Sequence, residues 1–186
     1  MPDNPIDGVL LIDKPAGITS FGAVDRIKTY FKLKKVGHGG TLDPMATGLL
    51  VILINRGTRL AEKMLSGDKE YRAEVRWGIR TDTQDITGRI REEKKAPAVS
   101  RREVEKVLSD FRGEIEQVPP MFSALKHRGR PLYQLAREGK NVDRSPRRVT
   151  IKELKLVEYH PDRIRIRMSG NGWMRFTKIN RRKNEK

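Results

Sequence analysis

The chain has 186 residues, with 40 Lys and Arg against 24 Asp and Glu, a formal charge of +16 at pH 7, and no cysteine. That length fits one domain, or one with a small appendage, and buries roughly two-thirds of the unfolded surface, so a core can form without staples. The missing cysteine excludes disulfide scaffolds, zinc-thiolate sites and thiol nucleophiles, while the excess positive charge makes a polyanion, nucleic acid first, the expected partner.

Met1-Pro2-Asp3-Asn4 opens no signal pattern and no apolar run reaches the length of a membrane span, so the expectation is a soluble, cytoplasmic protein. Asp7 to Asp13 ("DGVLLID") is a short apolar run closed by Lys14-Pro15-Ala16-Gly17, the pattern of a buried strand ending in a turn. A helix follows, capped by Thr19 or Ser20, with Val24, Ile27 and Phe31 on one face. After a glycine-rich loop, Leu49 to Ile54 ("LLVILI") reads as a strand covered on both faces. Thr58 to Leu65 reads as one short helix, and Glu70 to Ile79 alternates as a half-exposed strand does.

Thr81 to Gly88 ("TDTQDITG") has the composition of a turn; Asp82 and Asp85 miss the spacing of a calcium loop and read as turn and cap residues. Ser100 to Phe111 is an amphipathic helix with Ser100 and Glu103 as a capping box and Val104, Val107, Leu108 and Phe111 turned inward. Met121 to Arg148 is a basic insertion with a short helix near Leu132 to Arg137 that Gly139 ends. From Lys126 to Arg148 it carries eight cations against Glu138 and Asp143. Val149 to Tyr159 and Arg163 to Met168 ("RIRIRM") return to strand alternation, and no repeat is visible.

The candidate chemistry lies in "GHGGTLDPMATG", residues 37–48. It lacks the third glycine of a dinucleotide fingerprint and no Gly-Lys-Ser/Thr follows, which argues against nucleotide cofactors. His38, His127 and His160 sit at no metal-ligand spacing, and a lone histidine such as His38 is most often a hydrogen-bonded structural residue. Asp43 stands between Leu42 and Pro44; the proline biases it toward extended backbone and removes the next amide as a local partner. Its carboxylate is then open to chemistry, with an Asx-type turn as the alternative.

Several motifs together resemble the tRNA pseudouridine synthase B family: "GVLLIDKPAGITS" (8–20), "KVGHGGTLDPMATGLL" (35–50), "DKEYRAEVRWGIRTDTQDITG" (68–88) and "FRGEIEQVPPMFSALKHRGRPLYQLAREG" (111–139). The resemblance implies an α+β fold with a mixed, mainly antiparallel sheet and packed helices. It implies isomerisation of a T-loop uridine of tRNA, with Asp43 as the essential nucleophile or ion-pair partner, and no cofactor, because no redox change occurs. Tyr71 matches the tyrosine that stacks on the target base, with a packed strand tyrosine as the alternative.

By the same resemblance His38 fills space beside the flipped bases, Lys14 with Pro15 supports the floor of the site, and Lys126, Arg128 and Arg130 of the insertion contact phosphates. The family's Ser-Lys-Gly-Thr-Tyr-Ile-Arg motif is replaced by "SGNGWMR" (169–175), so that Trp173 takes the place of the stacking tyrosine and Arg175 that of the arginine paired with the catalytic aspartate. The family pattern therefore implies a catalytic domain over residues 1–176, incomplete at its C-terminus, with the insertion 121–148 and a basic tail 177–186. Missing sheet neighbours would leave "RIRIRM" as an exposed edge. The expected partner is the T-arm of tRNA, with no membrane, no obligate protein partner and a monomeric state. Two alternatives are a non-catalytic RNA-binding remnant of the family and, on charge alone, a basic assembly protein.

Overall fold

The computed structural model describes residues 6–83, 85–123 and 125–171. The chain divides into two compact units, Met1–Gly67 and Asp68–Lys186. Among the described residues no helix is long and apolar enough to cross a membrane.

In the first unit β1 (Gly8–Lys14) leads through a turn into α1 (Ser20–Tyr30); β2 (Val36–His38) and β3 (Gly48–Ile54) follow. The antiparallel sheet has the order β1-β3-β2, with Leu10 opposite Ile52 and Lys14 opposite Gly48. Thr19 caps α1, its hydroxyl accepting from the Gly22 amide at 2.9 Å. Ala23 and Val24 of α1 bury against Leu50, Ile52 and Ile54, the residues that β3's alternation puts on one face.

Three expectations change here. Leu49 is 65% exposed, so both faces of β3 are covered only from Ile52 to Ile54. Phe31 leaves the apolar face because the helix stops at Tyr30, with Phe31 as its C-cap and Lys32 in the left-handed region at φ 51°. Two short helices stand where one was expected, a 3-10 turn over Asn55–Leu60 and α2 over Ala61–Ser66. Asn55, with φ 47°, opens the first of them.

The second unit is built on a four-stranded antiparallel sheet in the order β4-β11-β10-β7, from β4 (Lys69–Arg76), β7 (Gly113–Gln117), β10 (Arg147–Tyr159) and β11 (Arg163–Asn171). Between β4 and β7 come the hairpin strands β5 (Ile79–Thr81) and β6 (Ile90–Glu93) and then α3 (Arg101–Ser109). Helix α3 carries the capping box of Ser100 and Glu103 and lays Val104 and Leu108 on Ile151, Leu154, Ile164, Ile166 and Met168. Val107 does not follow them inward and is 52% exposed. At 3.6 residues per turn it sits roughly 60° round from Val104, and nine residues of helix bury only a narrow stripe.

The "RIRIRM" strand is not an edge: β11 is paired along both sides, with Ile166 opposite Ala73 on β4 and Leu156 on β10. Its isoleucines enter the core, and its arginines meet carboxylates across the sheet, Arg165 with Glu74 and Glu158, Arg167 with Glu70. The insertion holds the two-residue strands β8 (Lys126–His127) and β9 (Arg130–Pro131) and then α4 (Leu132–Arg137), whose Leu132 and Leu135 are buried.

Candidate active site

Asp43 sits in the loop between β2 and β3, and the main chain on either side of it is clipped to the turn between β1 and α1. Ser20 Oγ accepts from the Leu42 amide at 2.8 Å and donates to the Leu42 carbonyl at 3.2 Å. The Pro44 carbonyl accepts from the Gly17 amide at 2.9 Å and from Lys14 Nζ at 3.1 Å. Asp43 closes its own turn through its carbonyl, which accepts from the Ala46 amide at 3.0 Å. Both neighbours of the half-buried carboxylate are thereby fixed, which sets where it can point.

The sequence explains each part of this grip. Thr19 takes the helix cap, which leaves the adjacent Ser20 free to bond across to Leu42. Gly17 (φ 88°) makes the turn that brings its amide to Pro44. Gly39 is where the loop passes α2: a Cβ there would stand 2.8 Å from Met64 Cβ. The proline after Asp43 has no amide to offer, and its carbonyl is the shared acceptor.

Lys14 is fully buried, and its ammonium donates to three carbonyls, Pro15 at 3.0 Å, Ile18 at 2.8 Å and Pro44 at 3.1 Å. An ammonium has three donors, so all are used. Burial pushes its pKa below the usual lysine value and the Asp43 carboxylate partly offsets that, so the two charges attract. His38 lies on β2 opposite Ile52, half buried, with Nδ1 sealed from solvent and without a hydrogen-bond partner among the described residues. Burial lowers its pKa, against a smaller opposite effect of the Gly40 backbone, and the balance favours the neutral ring.

Tyr71 belongs to the second unit, on β4 opposite Met168, where its half-buried side chain packs against the core. In the insertion Lys126, Arg128 and Arg130 are exposed. Arg128 (φ 49°) and Gly129 (φ 83°) make the tight turn between β8 and β9, an unusual place for an arginine, since Asn or Gly fits such a turn better. Arg130 is paired with Glu138, which also takes Lys140 at 2.9 Å; those two hydrogen bonds, Lys140 first, hold the Glu138 carboxyl below the usual range.

The described residues thus group Lys14, His38 and Asp43 in one unit and Tyr71 with Lys126, Arg128 and Arg130 in the other. Trp173, Arg175 and the tail 177–186 lie outside the described residues. Sequence reasoning missed Ser20 and Gly17 as the residues that orient Asp43. The signal for Ser20 was the doubled Thr-Ser, two capping residues where a helix needs one. Asp82 and Asp85 serve the turn as expected: Asp82 accepts from the Arg89 amide, and Asp85 from Thr83, from the Thr87 hydroxyl and from the Thr87 amide.

This architecture has counterparts among solved structures. A solved structure, "Crystal Structure of a Cbf5-Nop10-Gar1 Complex", matches with a TM-score of 0.67 and 27% identity over 91% of this chain and 41% of that one. Another, "Structure of H/ACA RNP bound to a substrate RNA containing 2'-deoxyuridine", has a TM-score of 0.62 and 24% identity over 88% and 38%, a likeness of fold. The family profile described as TruB family pseudouridylate synthase (N terminal domain) matches residues 28–172, and the chain belongs to that family.

Among curated relatives, the tRNA pseudouridine synthase B of Chromohalobacter salexigens is 52% identical over 153 residues, 82% of this chain and 50% of the relative. That of Coxiella burnetii is 48% identical over 162 residues, 87% and 52%. The chain spans about half the length of the curated relatives it matches.

Proposed function

We propose that the chain isomerises uridine to pseudouridine in the T-loop of tRNA, as a cytoplasmic monomer. The observation that carries this reading is the loop of Asp43, an acid with both neighbours clipped and a buried ammonium close enough to attract it. Family membership and the formal charge of +16 support the substrate class.

In this reading the target base leaves its stack, at a cost of a few kcal/mol, and enters the site. The N1–C1′ bond breaks while Asp43 stabilises or captures the separated fragment. The base then turns, C5 bonds to C1′, the C5 proton departs and N1 gains one. Tyr71 stacks on the base and assists at C5, Arg175 orients Asp43, Trp173 supplies a second aromatic face, and His38 fills the space beside the base. Lys14 acts as a positioning residue through Pro44, since its three donors are already taken.

Lys126, Arg128 and Arg130 hold phosphates of the T-arm, which offsets the unstacking cost. For Arg130 this exchanges Glu138 for a phosphate. Tritium release from C5-labelled T-arm RNA tests the assignment. The 186-residue chain is expected to release tritium, and Asp43→Asn to bind the same RNA and release none. Turnover that survives Asp43→Asn rejects Asp43; binding without release by the unaltered chain assigns it to the RNA-binding remnant instead.

A further inference from the structure

The unpaired positive charge of the first unit collects at the C-terminal end of α1. Residues 26–35 read "RIKTYFKLKK", with five cations and no acid, and Asp25 is the one carboxylate between Ser20 and Val36. Arg26, Lys28, Lys32, Lys34 and Lys35 are all exposed, and none of them makes an ion pair among the described residues. On the outer sheet face of the second unit, by contrast, Lys152, Arg165 and Arg167 are each matched to a carboxylate.

Two aromatic rings stand amid this charge. Tyr30 is 80% exposed and Phe31 53%, with ring centroids 4.9 Å apart in an edge-to-face pair at 81°. The surface beside them is a shallow, open hollow lined by Asp25, Arg26, Ile27, Thr29, Tyr30 and Phe31.

The backbone here is held in a costly form. The Leu33 amide bonds to the Lys28 carbonyl at 2.9 Å and the Lys32 amide to the Thr29 carbonyl at 3.2 Å, the double bond of a helix that ends through a left-handed residue. Helix α4 ends in the same way, with Lys140 bonded to Leu135 and Gly139 to Ala136, and there the left-handed residue is glycine. In α1 it is Lys32, where glycine would be less strained. This left-handed lysine stands next to the two exposed rings, a strained backbone residue within a solvent-facing cluster.

We propose that the C-terminal end of α1 is a second RNA-binding surface, where unpaired nucleotides stack on Tyr30 and Phe31 while Arg26, Lys28 and Lys32 hold the flanking phosphates. It rests on the RNA-substrate reading above and adds to it a contact that lies outside both the Asp43 loop and the insertion. Unpaired RNA fits because it offers base faces to the rings and a regular row of anions to the lysines; a blunt duplex offers only the anions.

The test is fluorescence-anisotropy titration of the 186-residue chain with three RNAs: a T-arm stem–loop, the same stem–loop with a single-stranded extension of about eight nucleotides, within the span such surfaces cover, and a blunt duplex. The extension should tighten binding, and the double variant Tyr30→Ala/Phe31→Ala should erase that gain, about tenfold for one or two stacked bases. Lys28→Gln/Lys32→Gln should flatten the dependence of log K on log salt by about 0.7 per cation removed. Lys32→Gly should raise the melting temperature and weaken binding to the extended RNA, a split that a purely structural lysine does not give.

The proposal is overturned if these variants bind extended RNA as the unaltered chain does. It is overturned also if Tyr30→Ala/Phe31→Ala only abolishes self-association in sedimentation, which would give the face to a second copy. A chain that binds none of the three RNAs refutes the underlying substrate reading instead.

Discussion

Replacing Lys14 by methionine removes the ammonium and keeps most of the volume. Three hydrogen bonds of 2.8 to 3.1 Å vanish, and the carbonyls of Pro15, Ile18 and Pro44 lose a partner each, Pro44 retaining only Gly17. Bonds to a charged donor contribute about 1.5–3 kcal/mol each. Against that, the several kcal/mol that the buried ammonium loses in hydration vanish as well. Leaving a buried carbonyl short of its partner costs about 1–3 kcal/mol, and with three carbonyls affected and the hydration gain set against them the expected net loss is about 3 kcal/mol.

For a chain of this size that lowers the melting temperature by roughly 6–12 °C. Circular dichroism melts read the shift, and amide hydrogen exchange locates it: Gly17 and Leu42, whose amides make the cross-loop bonds, should lose protection first. A Lys14→Met protein that melts within about 1 °C of the parent and keeps those amides protected would refute the claim that Lys14 tethers the Asp43 loop.

Asp43→Asn removes the attraction that holds the Lys14 pKa up against burial, so Lys14 should titrate at lower pH still; carbon NMR of its ε-methylene follows this without any substrate. His38 has a folded pKa below its unfolded value of 6.5, so its contribution to stability is present above about pH 6.5 and is lost as the pH falls through the lowered value. Melts from pH 7 to 5 should show less loss in His38→Gln, and equal loss would discount the ring as a buried neutral group. A Cβ at Gly170 would collide with the Thr150 carbonyl on the neighbouring strand, so Gly170→Ala should destabilise by about 1–3 kcal/mol in urea titrations. Gly8→Ala, with open space at its Cβ, should not, and equal midpoints for the two would contradict the packing of β11 on β10.

Features set by neighbours in sequence were legible. The capping box at Ser100 needs only residues three apart, and the stop after α4 needs only Gly139 with φ 74°. Features set by pairing were not. Val36-Gly37-His38 is too short and too glycine-rich to read as a strand, and becomes one by lying against Ile54, Leu53 and Ile52. The edge expected for "RIRIRM" rested on the family's missing continuation as the source of its neighbours, whereas the sheet order supplies β4 and β10 from earlier in the chain.

The candidate site divides in the same way. Asp43 stood out through Leu42 and Pro44, residues beside it. What holds it did not, because Lys14, Gly17 and Ser20 grip the loop through main-chain atoms, which every residue type carries alike.

That last feature decides where genetic drift can strike. The hub of the grip is the carbonyl of residue 44, an oxygen that no substitution deletes, so its supply of acceptor is guaranteed by the backbone itself. The burden of staying correct falls on the donor side, above all on one long amine reaching across thirty positions of chain. Codon changes at 44 would be felt through the lost ring and its restraint on Asp43, whereas at 14 almost any would remove the side-chain donor to that carbonyl.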